Sequence, residues 1–168
     1  MPDRGLVLRQ AVAPEDMSTA RTLFLEYAAW LKVDLCFQGF DQELAALPGK
    51  YAPPQGRLLL ASVGGEPAGC IALRPLEPGV GEVKRLYVRP AFRGRGIAKR
   101  LARELLDAAR AIGYTSLRLD TLSFMREAAA LYRSLGFVQR APYYDNPLQG
   151  VVYMELMLQP QPDAAPAS

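Results

Sequence analysis

The stretch Glu82-Val83-Lys84-Arg85-Leu86-Tyr87-Val88-Arg89-Pro90-Ala91-Phe92-Arg93-Gly94-Arg95-Gly96-Ile97-Ala98-Lys99-Arg100-Leu101 reads as a strand, a short turn and a helix that opens on Gly94, Arg95 and Gly96. A helix N-terminus carries unpaired backbone N–H groups and a partial positive charge, and glycines there let an anion approach without meeting a Cβ. From Lys84 to Arg103 there are eight Lys or Arg and no Asp or Glu, so side-chain charge reinforces the backbone. The expected ligand is a polyanion seated through phosphate.

What the turn lacks narrows the choice. There is no G-x-x-x-x-G-K followed by Ser or Thr, which argues against ATP and GTP. A dinucleotide fingerprint needs a third Gly or Ala three residues after Gly96, where Lys99 stands, which argues against NAD. The run from Arg93 to Ala98 does match Arg/Gln-x-x-Gly-x-Gly/Ala, and so resembles the pyrophosphate loop of the GNAT family of acetyl-CoA-dependent N-acetyltransferases. Downstream, Tyr132-Arg133-Ser134-Leu135-Gly136-Phe137 is similar to that family's Tyr-x-x-x-Gly-Phe element.

The resemblance spans about residues 6–158, with residues 159–168, rich in Pro and Ala, expected to be a disordered tail outside a single domain. It implies an α/β (α+β) fold with a mixed, mostly antiparallel sheet of about six to seven strands and helices on both faces. It also implies acetyl-CoA as co-substrate and an amine as acceptor; the aromatic residues of the irregular segments suit a small-molecule amine, no metal is expected, and there is room for a homodimer. The donor would be held by Arg93, Gly94, Arg95, Gly96, Ile97 and Ala98 at the phosphates. Leu86 and Val88 would pair with pantetheine amides through their backbone, as an added strand would.

Composition agrees with one globular domain: 168 residues, half of them apolar and 22% charged. No apolar run reaches the ~18 residues of a membrane span, and residues 1–4 do not open a signal peptide, so the chain is expected in the cytoplasm and off the membrane. Cys36 and Cys70 are too few and too isolated for a metal site or a disulfide framework and read as small buried thiols. The absence of histidine excludes Ser-His-Asp and Cys-His catalysis and His-ligated metals. A net charge of +3 could suit nucleic acid, but the phosphate seat already accounts for the densest basic run, and no aromatic-studded basic strand accompanies it.

Periodicity supplies the remaining elements. Leu6 to Gln10 is a strand, Pro14 opens a helix with a Met17, Ala20, Phe24, Tyr27, Leu31 stripe, and Phe37, Phe40, Leu44 and Leu47 suggest a short helix. Residues 57–63 and 68–73 flank Gly64-Gly65-Glu66-Pro67 as a hairpin, apolar on both faces, and residues 75–81 turn into the central strand. The helix after the phosphate seat turns Ile97, Leu101, Leu105, Ala108 and Ile112 inward and ends at Gly113. Residues 116–121 form a strand, and Ser123 is expected to cap a helix over 124–135 with Phe124, Ala128, Leu131 and Leu135 on its core face and Tyr132 beside it. Strands from Phe137 to Arg140 and from Val151 to Leu158 close the fold.

Acetyl transfer to an amine sets three tasks. An alkyl ammonium of pKa ~10.4, only about a thousandth neutral at pH 7, must lose a proton, a tetrahedral oxyanion must be stabilised, and a thiolate must leave. The resemblance implies Glu82, eleven residues before Arg93, as the base and Tyr132 as the acid for the thiolate. Glu82 could equally pair with Lys84 on one strand face as a surface couple, and many family members use water instead. Where many members carry an asparagine seven residues before the tyrosine, this chain has Met125. Residues 33–54 and 142–147, with Phe37, Phe40, Tyr143 and Tyr144, are expected to wall the acceptor, and Lys84 and Arg85 suit an anionic group on it. The rival readings are a protein N-terminus or lysine as acceptor, and a CoA-binding sensor without turnover.

Overall fold

The computed structural model describes residues 5–32 and 39–158. Its strands are β1 (Leu6–Gln10), β2 (Arg57–Val63), β3 (Glu66–Glu77), β4 (Val80–Val88), β5 (Ser116–Leu122), β6 (Val138–Arg140) and β7 (Val151–Met157); its longer helices are α1 (Pro14–Leu31), α2 (Phe40–Ala45), α3 (Ile97–Ile112) and α4 (Arg126–Ser134). The strands form one sheet in the order β1-β2-β3-β4-β5-β7-β6. All neighbours are antiparallel except β4 and β5, so the sheet is mixed as expected.

Two cores sit on opposite faces because successive strand residues point opposite ways. Leu59, Ala61, Leu117 and Leu119 pack with Ile97, Leu101 and Leu105 of α3. Leu58, Leu60 and Ala72 pack with Leu23 and Phe24 of α1 and Phe40 and Leu44 of α2. The amphipathic stripe of α3 is the expected one, except that Ala109 is buried where Ala108 is only half so. Leu23 and Asp16 replace Met17 and Tyr27 among the buried residues of α1.

Other expectations need correction. The hairpin strand and the central strand run longer than anticipated, leaving only Pro78 and Gly79 as the turn. Helix α4 starts at Arg126 with Met125 at its N-cap and no side-chain cap; Ser123 instead donates its backbone N–H to Gly150 O at 2.7 Å. Phe124 is 58% exposed, whereas Ala129 and Tyr132 are buried, so the core face of α4 centres on the stripe that carries Tyr132, with Ala128, Leu131 and Leu135 half-buried beside it. Cys70 is buried as expected; Cys36, Phe37 and the tail lie outside the described residues.

Helix α1 begins on Pro14, and Asp16 closes its first turn by accepting from Val12 N at 3.0 Å and Ala13 N at 3.1 Å while binding both terminal nitrogens of Arg9. The Arg9 hydrogen bonds, helped by those amides, hold the Asp16 carboxyl well below the usual carboxylate range against the opposing effect of burial. A group depressed in the folded state contributes stability above its unfolded pKa of ~3.9 and loses it as pH falls through the folded value. Asp16→Asn is therefore expected to destabilise the fold by about 1–2 kcal/mol at pH 7. Denaturant melts should show that gap closing below about pH 4.

Candidate active site

The pairing of β4 with β5 is short: Val80 with Ser116, Gly81 with Leu117, and Glu82 with Arg118. Beyond Glu82, β4 stays with β3 and β5 stays with β7, so the sheet opens between them. A second irregularity falls at the same place. Opposite β3 the register slips between Cys70, which faces Tyr87, and Ala72, which faces Lys84, and Arg85 takes a φ of +63°. This is a β-bulge, which changes the phase of side-chain alternation and re-aims the chain. Glu82 and Lys84 before it, and Arg85 and Tyr87 after it, turn to the α1 face; Val83, Leu86 and Val88 turn to the α3 face.

Beyond the bulge the free edge of β4 faces the opening. Arg89 N donates to Ala68 O of β3 at 2.8 Å, so the alternate residues Val88 and Leu86 turn their backbone groups the other way. Arg93 Nε donates to Val88 O at 2.9 Å on that side and its guanidinium lies 5.0 Å from the Trp30 ring, tethering the glycine-rich turn. Gly94 and Gly96 have φ of +80° and +77°, with nothing within 4 Å of where a Cβ would stand. Gly96 is the N-cap of α3 and offers no side-chain cap. The first intrahelical bond is Arg100 N to Gly96 O, so the amides of Ile97, Ala98 and Lys99 precede the helical ladder.

These pieces line a cavity of about 300 Å³ bounded by Leu86, Val88, Arg93, Gly94, Gly96, Ile97 and Ala98. Seven of the eight residues expected to hold the donor are thus brought together. Arg95 is the exception: it stacks on Phe92, 5.4 Å from the ring. An amide-rich, glycine-lined mouth continuing into an apolar channel fits a phosphate-bearing thioester with an extended arm. Met125 lines the channel, so a thioether occupies the place where a polar contact to the arm was in question.

Leu86, Met125 and Ala128 also line a second, smaller cavity of about 50 Å³, which adds Tyr132, Lys84, Arg85, Asp120, Tyr27 and Leu148. Tyr132 packs edge-on against Phe137 at 5.4 Å, its hydroxyl makes no hydrogen bond among the described residues, and burial pushes its pKa up, so the phenol stays protonated. Burial pushes Tyr27 up to about 12.

Glu82 is held differently. It is 1% exposed and does not line either cavity. Arg74 Nε donates to Oε1 at 2.8 Å and Tyr143 OH to Oε2 at 2.7 Å. Burial raises its pKa, but Lys84, Arg74 and those hydrogen bonds outweigh it and leave a net lowering, so the carboxylate stays ionised. Arg85 is spent on a bidentate pair with Glu43, at 2.9 and 3.0 Å, and lies over Phe40. Of the two cations expected to meet an acceptor anion, Arg85 is thus already matched.

Asp120 had no role in the sequence reading. An aspartate in the middle of an apolar strand was the available signal, since Asp is depleted from strands. Tyr144 OH donates to its Oδ2 at 2.6 Å, Asn146 Nδ2 lies 3.4 Å from the same oxygen, and Lys84 Nζ is 3.9 Å from Oδ1. The loop around Tyr143 and Tyr144 therefore acts on the site by fixing Glu82 and Asp120, and Leu148 is its residue in the cavity wall. Helix α2 acts through Glu43 in the same indirect way. No group of three or more Cys, Asp or Glu able to hold a metal occurs among the described residues, and no described helix is long and apolar enough to cross a membrane.

Residues 23–137 match the sequence model of the acetyltransferase (GNAT) family. An uncharacterised N-acetyltransferase of Schizosaccharomyces pombe is 43% identical over 145 residues, covering 85% of this chain and 89% of its own. Among solved structures, a Klebsiella pneumoniae protein assigned as an acyl-CoA N-acyltransferase superposes with a TM-score of 0.72 at 29% identity, over 92% of this chain and 98% of the other. An assigned acetyltransferase from Salmonella typhimurium, solved with its cofactor acetyl-CoA, shares the fold with a TM-score of 0.68 at 20% identity, over 98% and 99% of the two chains.

Proposed function

The chain belongs to the GNAT family of N-acetyltransferases and is an acyltransferase, and from that premise we propose that it moves an acetyl group from acetyl-CoA to a small primary amine by direct attack in a ternary complex. The observation that carries this reading is the junction of the two cavities at Leu86, Met125 and Ala128. The larger takes the donor, with its phosphates on the amides of the Gly94–Ala98 turn and its arm along Leu86 and Val88. The smaller takes the amine.

A space of about 50 Å³ walled by Tyr27, Leu31, Leu122 and Leu148 suits a small amine better than an extended peptide, which needs an open groove. With Arg85 paired to Glu43, an anionic group on the acceptor would have only Lys84 to meet in this cavity. Tyr132 gives its proton to the departing thiolate, and a backbone N–H on the free edge of β4 holds the oxyanion. Glu82 contributes as a fixed negative charge beside Lys84.

Release of thiol from acetyl-CoA, measured across a panel of small amines and short peptides, tests this directly. Turnover with small amines is the expected result; efficient acetylation of peptides alone would transfer the activity to a protein substrate, and acetyl-CoA binding without any release would make the chain a sensor. Because Glu82 is ionised throughout the assay range, Glu82→Gln is expected to lower kcat by about tenfold without removing a limb of the pH profile. Loss of a limb near the ordinary carboxylate range would return Glu82 to the role of base.

A further inference from the structure

Resting on that function, the remaining problem is which group takes the proton from the amine. Lys84 is on the strand at its bulge, its side chain is 4% exposed, and it lines the small cavity together with Tyr132. Its Nζ makes no hydrogen bond among the described residues, and its nearest ionic partner, Asp120, is at 3.9 Å. The charged groups facing it are Glu82 and Arg85 on its own strand, Arg74 from β3 and Asp120 from β5. The phenols of Tyr27 and Tyr132 enter the same cavity from α1 and α4.

Counting charge decides what this lysine can do. Arg74 neutralises Glu82 and Glu43 neutralises Arg85, which leaves Lys84 with Asp120 as the third pair. An acceptor arriving as an ammonium would add a buried, unmatched positive charge if Lys84 kept its proton, and burying such a charge is costly. If Lys84 is neutral, Asp120 balances the incoming ammonium. An anion brought to Lys84 would instead be pressed against Asp120. Burial also lowers the lysine's proton affinity, with Glu82 and Asp120 opposing but not cancelling the effect.

We propose that Lys84 is the general base, taking the proton of the acceptor amine while Asp120 holds the resulting ammonium in place. The freed nitrogen lone pair forms the C–N bond to the acetyl carbon, and the C–S bond breaks as its electron pair leaves with sulfur. Of the two protons the ammonium sheds, the first goes to Lys84 and the second replaces the one that Tyr132 gives to sulfur. Lys84 returns its proton to solvent before the next acceptor binds, so the net products are the amide, the thiol and one proton.

Arginine separates a base from a mere cation, because it keeps the charge and does not give up its proton in a protein. Lys84→Arg and Lys84→Met are expected to lower kcat alike, by about 100-fold or more, and to abolish the acidic limb of its pH profile, with acetyl-CoA affinity by calorimetry within a few-fold. Asp120→Asn removes a charge that favours the protonated lysine and should move that limb to lower pH. Near-normal kcat in Lys84→Arg with the limb retained would overturn the proposal, as would an unmoved limb in Asp120→Asn.

Should these variants fail to fold, the unaltered protein still decides. Its kcat limb should shift with temperature as an ammonium ionisation does and stay in place between two acceptors of different amine pKa; a limb insensitive to temperature, or one that tracks the acceptor, would overturn the assignment. Thiol release by the unaltered protein with the best amine of the panel is measured first. Absence of release would count against the acetyltransferase reading, whereas release together with an active Lys84→Arg would count against the base alone.

Discussion

Gly96→Asp is expected to reduce acetyl-CoA affinity by at least about 100-fold while the protein still folds. A Cβ at Gly96 would have nothing within 4 Å, so the substitution brings no clash there and the damage falls on the ligand. A carboxylate at the N-cap would occupy the amides of α3 that the pyrophosphate needs, and its charge would repel the phosphates. The cost to folding is limited to holding a non-glycine residue at a φ of +77°, about 1 kcal/mol, which Asp tolerates better than most. Calorimetry with acetyl-CoA on a variant whose thermal melt remains cooperative is the measurement. Unchanged affinity would remove the phosphate seat from the glycine-rich turn.

Tyr132→Phe is expected to lower turnover by about 10- to 1,000-fold with acetyl-CoA affinity within a few-fold. The ring can keep its edge-on contact with Phe137, so only the hydroxyl is lost. Since burial holds the phenol protonated, its loss should lower the rate at every pH and should not create or erase a limb below the usual tyrosine range. Single-turnover release of thiol separates this step from donor binding. A variant with full turnover would show that the thiolate takes its proton from solvent.

The cavity proposed for the donor was readable from sequence because its wall is built from backbone. A strand, two glycines and a helix start fall within Glu82–Leu101, and local patterns of that kind survive without knowledge of the fold. The succession of strands and helices along the chain and the two-faced burial were legible for the same reason, since period-2 and period-3.6 patterns are local. The acceptor half is made of side chains that meet across long separations. Asp120 reaches Lys84 from another strand, Glu43 reaches Arg85 across 42 positions, and Tyr143 reaches Glu82 across 61. Nothing in the spacing of those residues announces the contacts. The bulge was equally hidden, because Arg85 carries none of the glycine signal that usually marks a positive φ. On helix α4 the expected Ala128, Leu131 and Leu135 do pack against the core, but Phe124 lies before the first turn and meets Trp30 at the surface, and Tyr132 and Ala129 are the more deeply buried.

The slip at Arg85 also divides the labour of a single strand. Upstream, Glu82 and Lys84 point toward α1, and Lys84 lines the smaller cavity; downstream, Leu86 and Val88 point toward α3 and line the larger one. One strand thus carries two vocabularies, separated by a comma one residue wide. On the proposed function, substitutions before the comma are expected to retune which amine is admitted and leave the grammar of thioester binding alone, and those after it the reverse. Deleting Arg85 would leave Leu86 alone between Lys84 and Tyr87, matching Ile71 between Ala72 and Cys70, so both flanks would keep their faces while the positive φ and the pair with Glu43 would be lost.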